Sequence, residues 1–135
     1  LAAIQLNKIT KDQKYLKDAV KFGIQEPVTP WMGADTARHY EWYPFINLGH
    51  YYLSTTTNKK IDKQFIRYLK EGIDRVYQRA KSNPFLIGVP FIWCSNNLVS
   101  AIVTQSHLYY ELTKDPTYLP MEAALRDWLY LRNHL

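Results

Sequence analysis

Thr10-Lys-Asp-Gln-Lys-Tyr-Leu16 and Thr113-Lys-Asp-Pro-Thr-Tyr-Leu119 are one frame written twice. Each copy follows an apolar stretch and precedes a run of helical period, so each reads as the tight turn of an αα-hairpin. The threonine and lysine close one helix, and Asp12 or Asp115 caps the next with its side-chain oxygen. Pro116 falls at the first helical position after Asp115, where a missing N–H costs nothing. A third, degenerate turn lies between the copies at Thr55-Thr-Thr-Asn58.

The flanking residues fit this frame. Residues 1–9 read as the end of an apolar helix. Tyr15, Leu16, Ala19, Val20 and Phe22 then recur at helical spacing with lysines opposite, and Gly23 is expected to end that run. Trp42 to Leu53 is apolar or aromatic nearly all round, as in a helix buried on both sides. Its partner carries one stripe of Ile61, Phe65, Ile66, Leu69, Ile73, Val76, Tyr77 and Ala80. Leu98 to Leu112 repeats the inner type, and Tyr118, Leu119, Leu125, Trp128 and Leu129 mark the last outer helix. The expectation is an all-α unit over residues 1–135, built of about three αα-hairpins with alternating inner and outer helices. Asp12, Asn58 and Asp115 are spaced too far apart and too unevenly for tetratricopeptide or ankyrin arrays. The turns from inner to outer helix are tight, whereas Gln25 to Glu41 and Ser82 to Trp93 are long and rich in proline, glycine and aromatics. These two loops should emerge together at the opposite end of the stack, which makes that end the functional face.

Composition narrows the function classes. The chain has 135 residues and a net charge of +5, but its lysines are spread over the polar sides of helical patterns and read as solvated faces, so no nucleic-acid partner is expected. Apolar runs are broken before the ~20 residues a membrane span requires. Cys94 is the single cysteine; there is no zinc cluster, Gly-rich phosphate loop, Ser-His-Asp signature or redox motif, and no cofactor is expected. His50 and His107 lie in inner helices and read as hydrogen-bonded core histidines.

The long loops carry the chemistry. Trp31, Asp35, Arg38, His39, Tyr40, Glu41, Trp42 and Tyr43 crowd into thirteen residues. A carbohydrate subsite would use such a set, with Trp31 or Trp42 covering the C–H face of a sugar and Asp35, Arg38 and His39 bonding its hydroxyls. The structural alternative makes Trp42 and Tyr43 the first core residues of the inner helix and pairs Arg38 with Asp35 or Glu41. Asp35 and Glu41 could be the two carboxyl groups, ~5–9.5 Å apart, of a glycosidase, but Glu41 also suits a helix macrodipole. In the second loop, Gly88-Val-Pro-Phe-Ile-Trp-Cys-Ser-Asn-Asn97 delivers Trp93, Ser95, Asn96 and Asn97 to the mouth of a helix that Ser95 is suited to cap. An aromatic ring beside paired amides again matches a sugar; a structural cap beside a buried tryptophan is the alternative.

Pro90-Phe-Ile-Trp-Cys-Ser-Asn-Asn-Leu-Val99, Leu112-Thr-Lys-Asp-Pro-Thr-Tyr118 and Met121-Glu-Ala-Ala-Leu-Arg-Asp-Trp-Leu129 together resemble the C-terminal half of glycoside hydrolase family 9, the inverting endoglucanases and related β-glucanases. The resemblance is strongest from about Val89 to Asn133. It implies a partial (α/α)6 toroid, a fragment of the catalytic domain lacking the other half, a β-glucan substrate and a secreted or periplasmic parent. It also implies groove roles for Trp31, Asp35, Arg38, His39, Tyr40, Trp42, Trp93 and Asn96. The family's Asp-Ala-Gly-Asp base motif and its acid-glutamate segment are absent from these residues, as is Asn-Pro-Trp-Gly, where this chain has Asn133-His-Leu135. No catalytic residue is therefore assigned, and the chain alone is expected to be inactive. Bare apolar edges at both ends of a half-ring would favour self-association. Two other classes fit the hairpins: a helical-repeat scaffold that binds proteins, and an (α/α)-barrel sugar epimerase or lyase.

Overall fold

A computed structural model of the chain describes residues 1–25, 45–91 and 95–130. Among them lie six α-helices and no strand. Helix α1 (Ala2–Thr10) pairs with α2 (Gln13–Gln25), α3 (Phe45–Leu53) with α4 (Lys59–Ala80), and α5 (Ser95–Thr113) with α6 (Leu119–Leu129). A 3-10 turn, Pro116–Tyr118, precedes α6. The odd helices touch in series, α1 against α3 and α3 against α5. Helices α2 and α4 each pack on their own hairpin partner and on the next odd helix. The described residues are thus all-α and paired as three αα-hairpins, as expected.

The repeated frame folds the same way twice. Lys11 and Lys114 both adopt left-handed backbone, at φ 62° and 59°. Their N–H groups return to the carbonyls of Asn7 and Tyr110, as C-terminal caps do. Thr10 and Thr113 each donate a hydroxyl four residues back, to Leu6 and Tyr109. Each threonine then accepts the N–H of the aspartate two residues on, at 3.2 Å in both copies. Asp12 accepts the N–H of Lys14 and Asp115 that of Thr117. In the degenerate turn, Asn58 accepts from Lys60 and Ile61.

Two cores hold the stack together. Ile4, Ala19, Leu53, Phe65 and Tyr68 join the first hairpin to the second. Leu69, Ile73 and Val76 of α4 meet Leu98, Ile102, Met121 and Leu125 of the third. Helix α4 belongs to both, because its buried positions Phe65, Tyr68, Leu69, Gly72, Ile73, Val76 and Ala80 wind round a wide stripe. Gln105 crosses between hairpins, its amide donating to the Leu69 carbonyl at 3.3 Å.

Three details differ from expectation. Helix α2 runs through Gly23 to Gln25, since that glycine serves packing rather than termination: a Cβ there would lie 2.5 Å from the Phe65 ring. Phe22 is 60% exposed instead of facing the core. His107 is also largely outside, its side chain 57% exposed beside Glu122 at 3.7 Å, whereas His50 is buried against Phe65 and Tyr68 as expected.

Gly88 comes closer still to its neighbour, since an added Cβ would meet the Val76 carbonyl oxygen at 2.0 Å. Gly88→Ala is expected to cost more than Gly23→Ala, because backbone cannot yield as a ring can. Urea melts should show Gly23→Ala destabilised by about 1–3 kcal/mol and Gly88→Ala beyond that.

Candidate functional site

Each tight turn closes its own hairpin, and the loop 81–91 leads from the C-terminal end of α4, remote from the Asn58 turn, towards the start of α5. This loop is pinned from within. Asn83 accepts the N–H groups of Phe85 and Ile87 at 3.1 Å each and donates to the Ile87 carbonyl at 2.6 Å. Leu86 adopts left-handed backbone at φ 53°. Arg79 Nε donates to the Gly88 carbonyl at 2.8 Å, and Val89 is buried in the larger core. These contacts fix the chain up to Pro90 and leave Phe91 86% exposed at the rim.

Asn96 and Asn97 are exposed and Ser95 is half-buried, all in the first turn of α5. That turn has N–H groups without helical acceptors, and the amides can donate to and accept from hydroxyls. The expected neighbour Trp93 lies outside the described residues, as do Trp31, Asp35, Arg38, His39, Tyr40 and Trp42. Of the groove residues read from sequence, Asn96 is thus the one the structure places, at the loop end and open to solvent. Phe91, which the sequence reading assigns to an extended apolar run, joins it as an exposed aromatic. Gly88 and Pro90 were the available signal, since they keep the chain leading up to Phe91 out of a helix.

A second polar cluster sits between hairpins. Lys70 bonds Asp74 one turn on at 2.5 Å and the Tyr118 hydroxyl at 3.1 Å. Tyr118 donates a short hydrogen bond to the other Asp74 oxygen. Tyr77 and Tyr109 pack edge-on against the Tyr118 ring, both at 5.5 Å between centroids. Burial first, and then the Asp74 bond, push the Tyr118 phenol well above its usual range. The bonds to Asp74 and Tyr118 raise the Lys70 ammonium in the same way. Burial, then Asp115, raises Tyr109, while the Thr117 hydrogen bonds hold the Asp115 carboxyl below its ordinary value. The Lys70 ammonium and the Tyr109 and Tyr118 phenols thus keep their protons near neutrality, which suits a clamp and not an acid–base pair. The i, i+4 spacing of Lys70 and Asp74 opposite the repeated tyrosine was its signal in the sequence.

Glu122 is 4% exposed. One of its oxygens faces His107 at 3.7 Å and Arg126 at 3.6 Å. A cavity of about 630 Å³ opens between α1, α2 and α3, lined mainly by apolar side chains with Tyr15, Asp18 and His50. Among the described residues no group of three His, Cys, Asp or Glu side chains could hold a metal ion, and no helix is long and apolar enough to cross a membrane. Comparison with models of protein families, with curated proteins and with solved structures finds no match to the chain.

Lys70 and Tyr118 both have folded-state pKa values above those of the unfolded chain, so their stabilisation is complete below the unfolded values and is lost as pH rises past them. Those reference values are 10.5 for lysine and 10.0 for tyrosine. Urea midpoints should hold level up to about pH 9 and fall above it. The fall should be smaller in Tyr118→Phe, which retains the ring and lacks the titrating phenol.

Proposed function

We propose that the chain is part of an inverting β-glucan hydrolase, supplying about three hairpins of an (α/α)6 toroid and part of its substrate groove. The observation that supports this reading is the exposure of Phe91, Asn96 and Asn97 where the second long loop leads into α5. A glucan chain presents apolar C–H faces and a row of hydroxyls. Aromatic side chains such as Phe91, Trp93 and Trp31 would cover the faces, while Asn96, Asp35, Arg38 and His39 would bond the hydroxyls. In an inverting reaction one carboxylate activates water and a carboxylic acid protonates the leaving oxygen. Neither is assigned to these residues, so this chain's part is to bind and align the substrate. In this reading the parent is secreted or periplasmic and needs no cofactor from this segment.

A protein-binding scaffold is the second reading, and the exposed Ile9 and Phe22 of the first hairpin favour it. The two differ in what the loop end recognises.

Titration with cello-oligosaccharides should change tryptophan fluorescence saturably, with a dissociation constant of ~1 mM, about −4 kcal/mol. Asn96→Ala should weaken binding roughly fivefold, the loss of about one hydrogen bond. The chain should release no reducing sugar. No response at saturating oligosaccharide, or full affinity in both Asn96→Ala and Trp93→Ala, would remove the groove assignment.

A further inference from the structure

Two buried polar atoms of the third hairpin have no hydrogen-bond partner among the described residues: the Ser106 hydroxyl oxygen on α5 and Oε2 of Glu122 on α6. Ser106 is 1% exposed and Glu122 4%. The buried Ile102, Met121 and Leu125 of the same two helices belong to the larger core. Buried side-chain oxygens are nearly always bonded, so two orphans in one helix pair call for a partner.

The hairpin brings the two residues to the same level. His107, next to Ser106, stands 3.7 Å from Glu122. Tyr109, three residues on from Ser106, packs its ring on that of Tyr118, one turn before Glu122. At about 100° per residue, Ser106 projects between Tyr109 and His107, the side chains through which α5 meets this stretch of α6. It therefore faces the seam that Glu122 enters. The two atoms nevertheless make no hydrogen bond to each other.

Their chemistry narrows what belongs between them. Glu122 Oε2 needs a donor, and the Ser106 hydroxyl can both give a proton and accept one. A cation is disfavoured, because Arg126 and His107 already stand 3.6 and 3.7 Å from Oε1 of the same carboxylate. A small uncharged molecule that donates and accepts at once is water, and internal waters bond to buried polar groups that would otherwise be unsatisfied. Gln105 Oε1 is a further orphan, but its amide turns to Leu69 of α4 and away from this seam.

We propose that α5 and α6 bind an internal water at their seam, which donates to Glu122 Oε2 and accepts from the Ser106 hydroxyl. The bridge ties the buried carboxylate to α5. Through its other oxygen that carboxylate positions the exposed side chains of His107 and Arg126. The sugar reading neither needs this water nor is tested by it.

A high-resolution crystal structure of the unaltered chain should show an ordered water about 2.6–3.2 Å from both Ser106 Oγ and Glu122 Oε2. In solution, oxygen-17 relaxation dispersion of the solvent counts long-lived internal waters. The count should fall by one in the Ser106→Ala, Glu122→Met double variant and stay level in Glu122→Gln, which keeps an acceptor in place. Circular dichroism melts check that each variant is folded. Ser106→Ala alone, the mildest change, should shorten the residence of this water roughly tenfold, as for the loss of one hydrogen bond. A direct hydrogen bond between Ser106 and Glu122, a metal ion between them, or an unchanged count in the folded double variant would overturn the proposal.

Discussion

Helix α4 must bury two sides at once, and the stack depends on that demand. Phe65 and Tyr68 close the core shared with the first hairpin, while Leu69, Ile73 and Val76 close the core shared with the third. The stripe is wide enough because its apolar positions recur at both three- and four-residue intervals over 22 residues. Both neighbours adapt to it. Gly23 lets the α2 backbone come up to the Phe65 ring, and Gly88 lets the second loop lie on the Val76 carbonyl. Close packing of this kind leaves little slack, so a methyl group in either place is felt through a whole interface.

Local chemistry then decides which end of the stack is free to do something else. At the turn end every connection is occupied with its own closure: left-handed lysines, threonines bonded four residues back, and carboxylate or amide caps. Tyr118 extends that closure sideways into the neighbouring hairpin through Asp74 and Lys70. In the second long loop, Asn83 and Arg79 fix the backbone as far as Val89, after which Pro90 and Phe91 stand in solvent. The pinned backbone thus ends close in sequence to the exposed Phe91, Asn96 and Asn97.

Much of this architecture was legible because it is local. The repeated Thr-Lys-Asp frame specifies its own turn, and the helical period of Phe65 to Ala80 specifies its own buried stripe. What was not legible depends on partners distant in sequence. Gly23 looks like a helix stop until Phe65 is placed against it. His107 reads as a core residue until α6 brings Glu122 to it from the side. Phe22 fits the apolar period of α2, yet it lines the mouth of the cavity and stays 60% exposed. The candidate site was less legible than the fold. Asn96 is where the sequence reading put it, Phe91 emerged only with the loop geometry, and the aromatic-rich segment from Trp31 to Tyr43 lies beyond the described residues.

The account turns on the loop end, and not the capped end, being the face that meets sugar. Titrating a spin-labelled cello-oligosaccharide into the isotope-labelled chain tests this most directly, because paramagnetic broadening reports proximity without needing tight binding. Broadening confined to the amides of Phe91, Asn96 and Asn97 and the indoles of Trp31 and Trp93, with Asp12, Asn58 and Asp115 untouched, is the predicted result. Uniform broadening, or broadening centred on the capped turns, would contradict it.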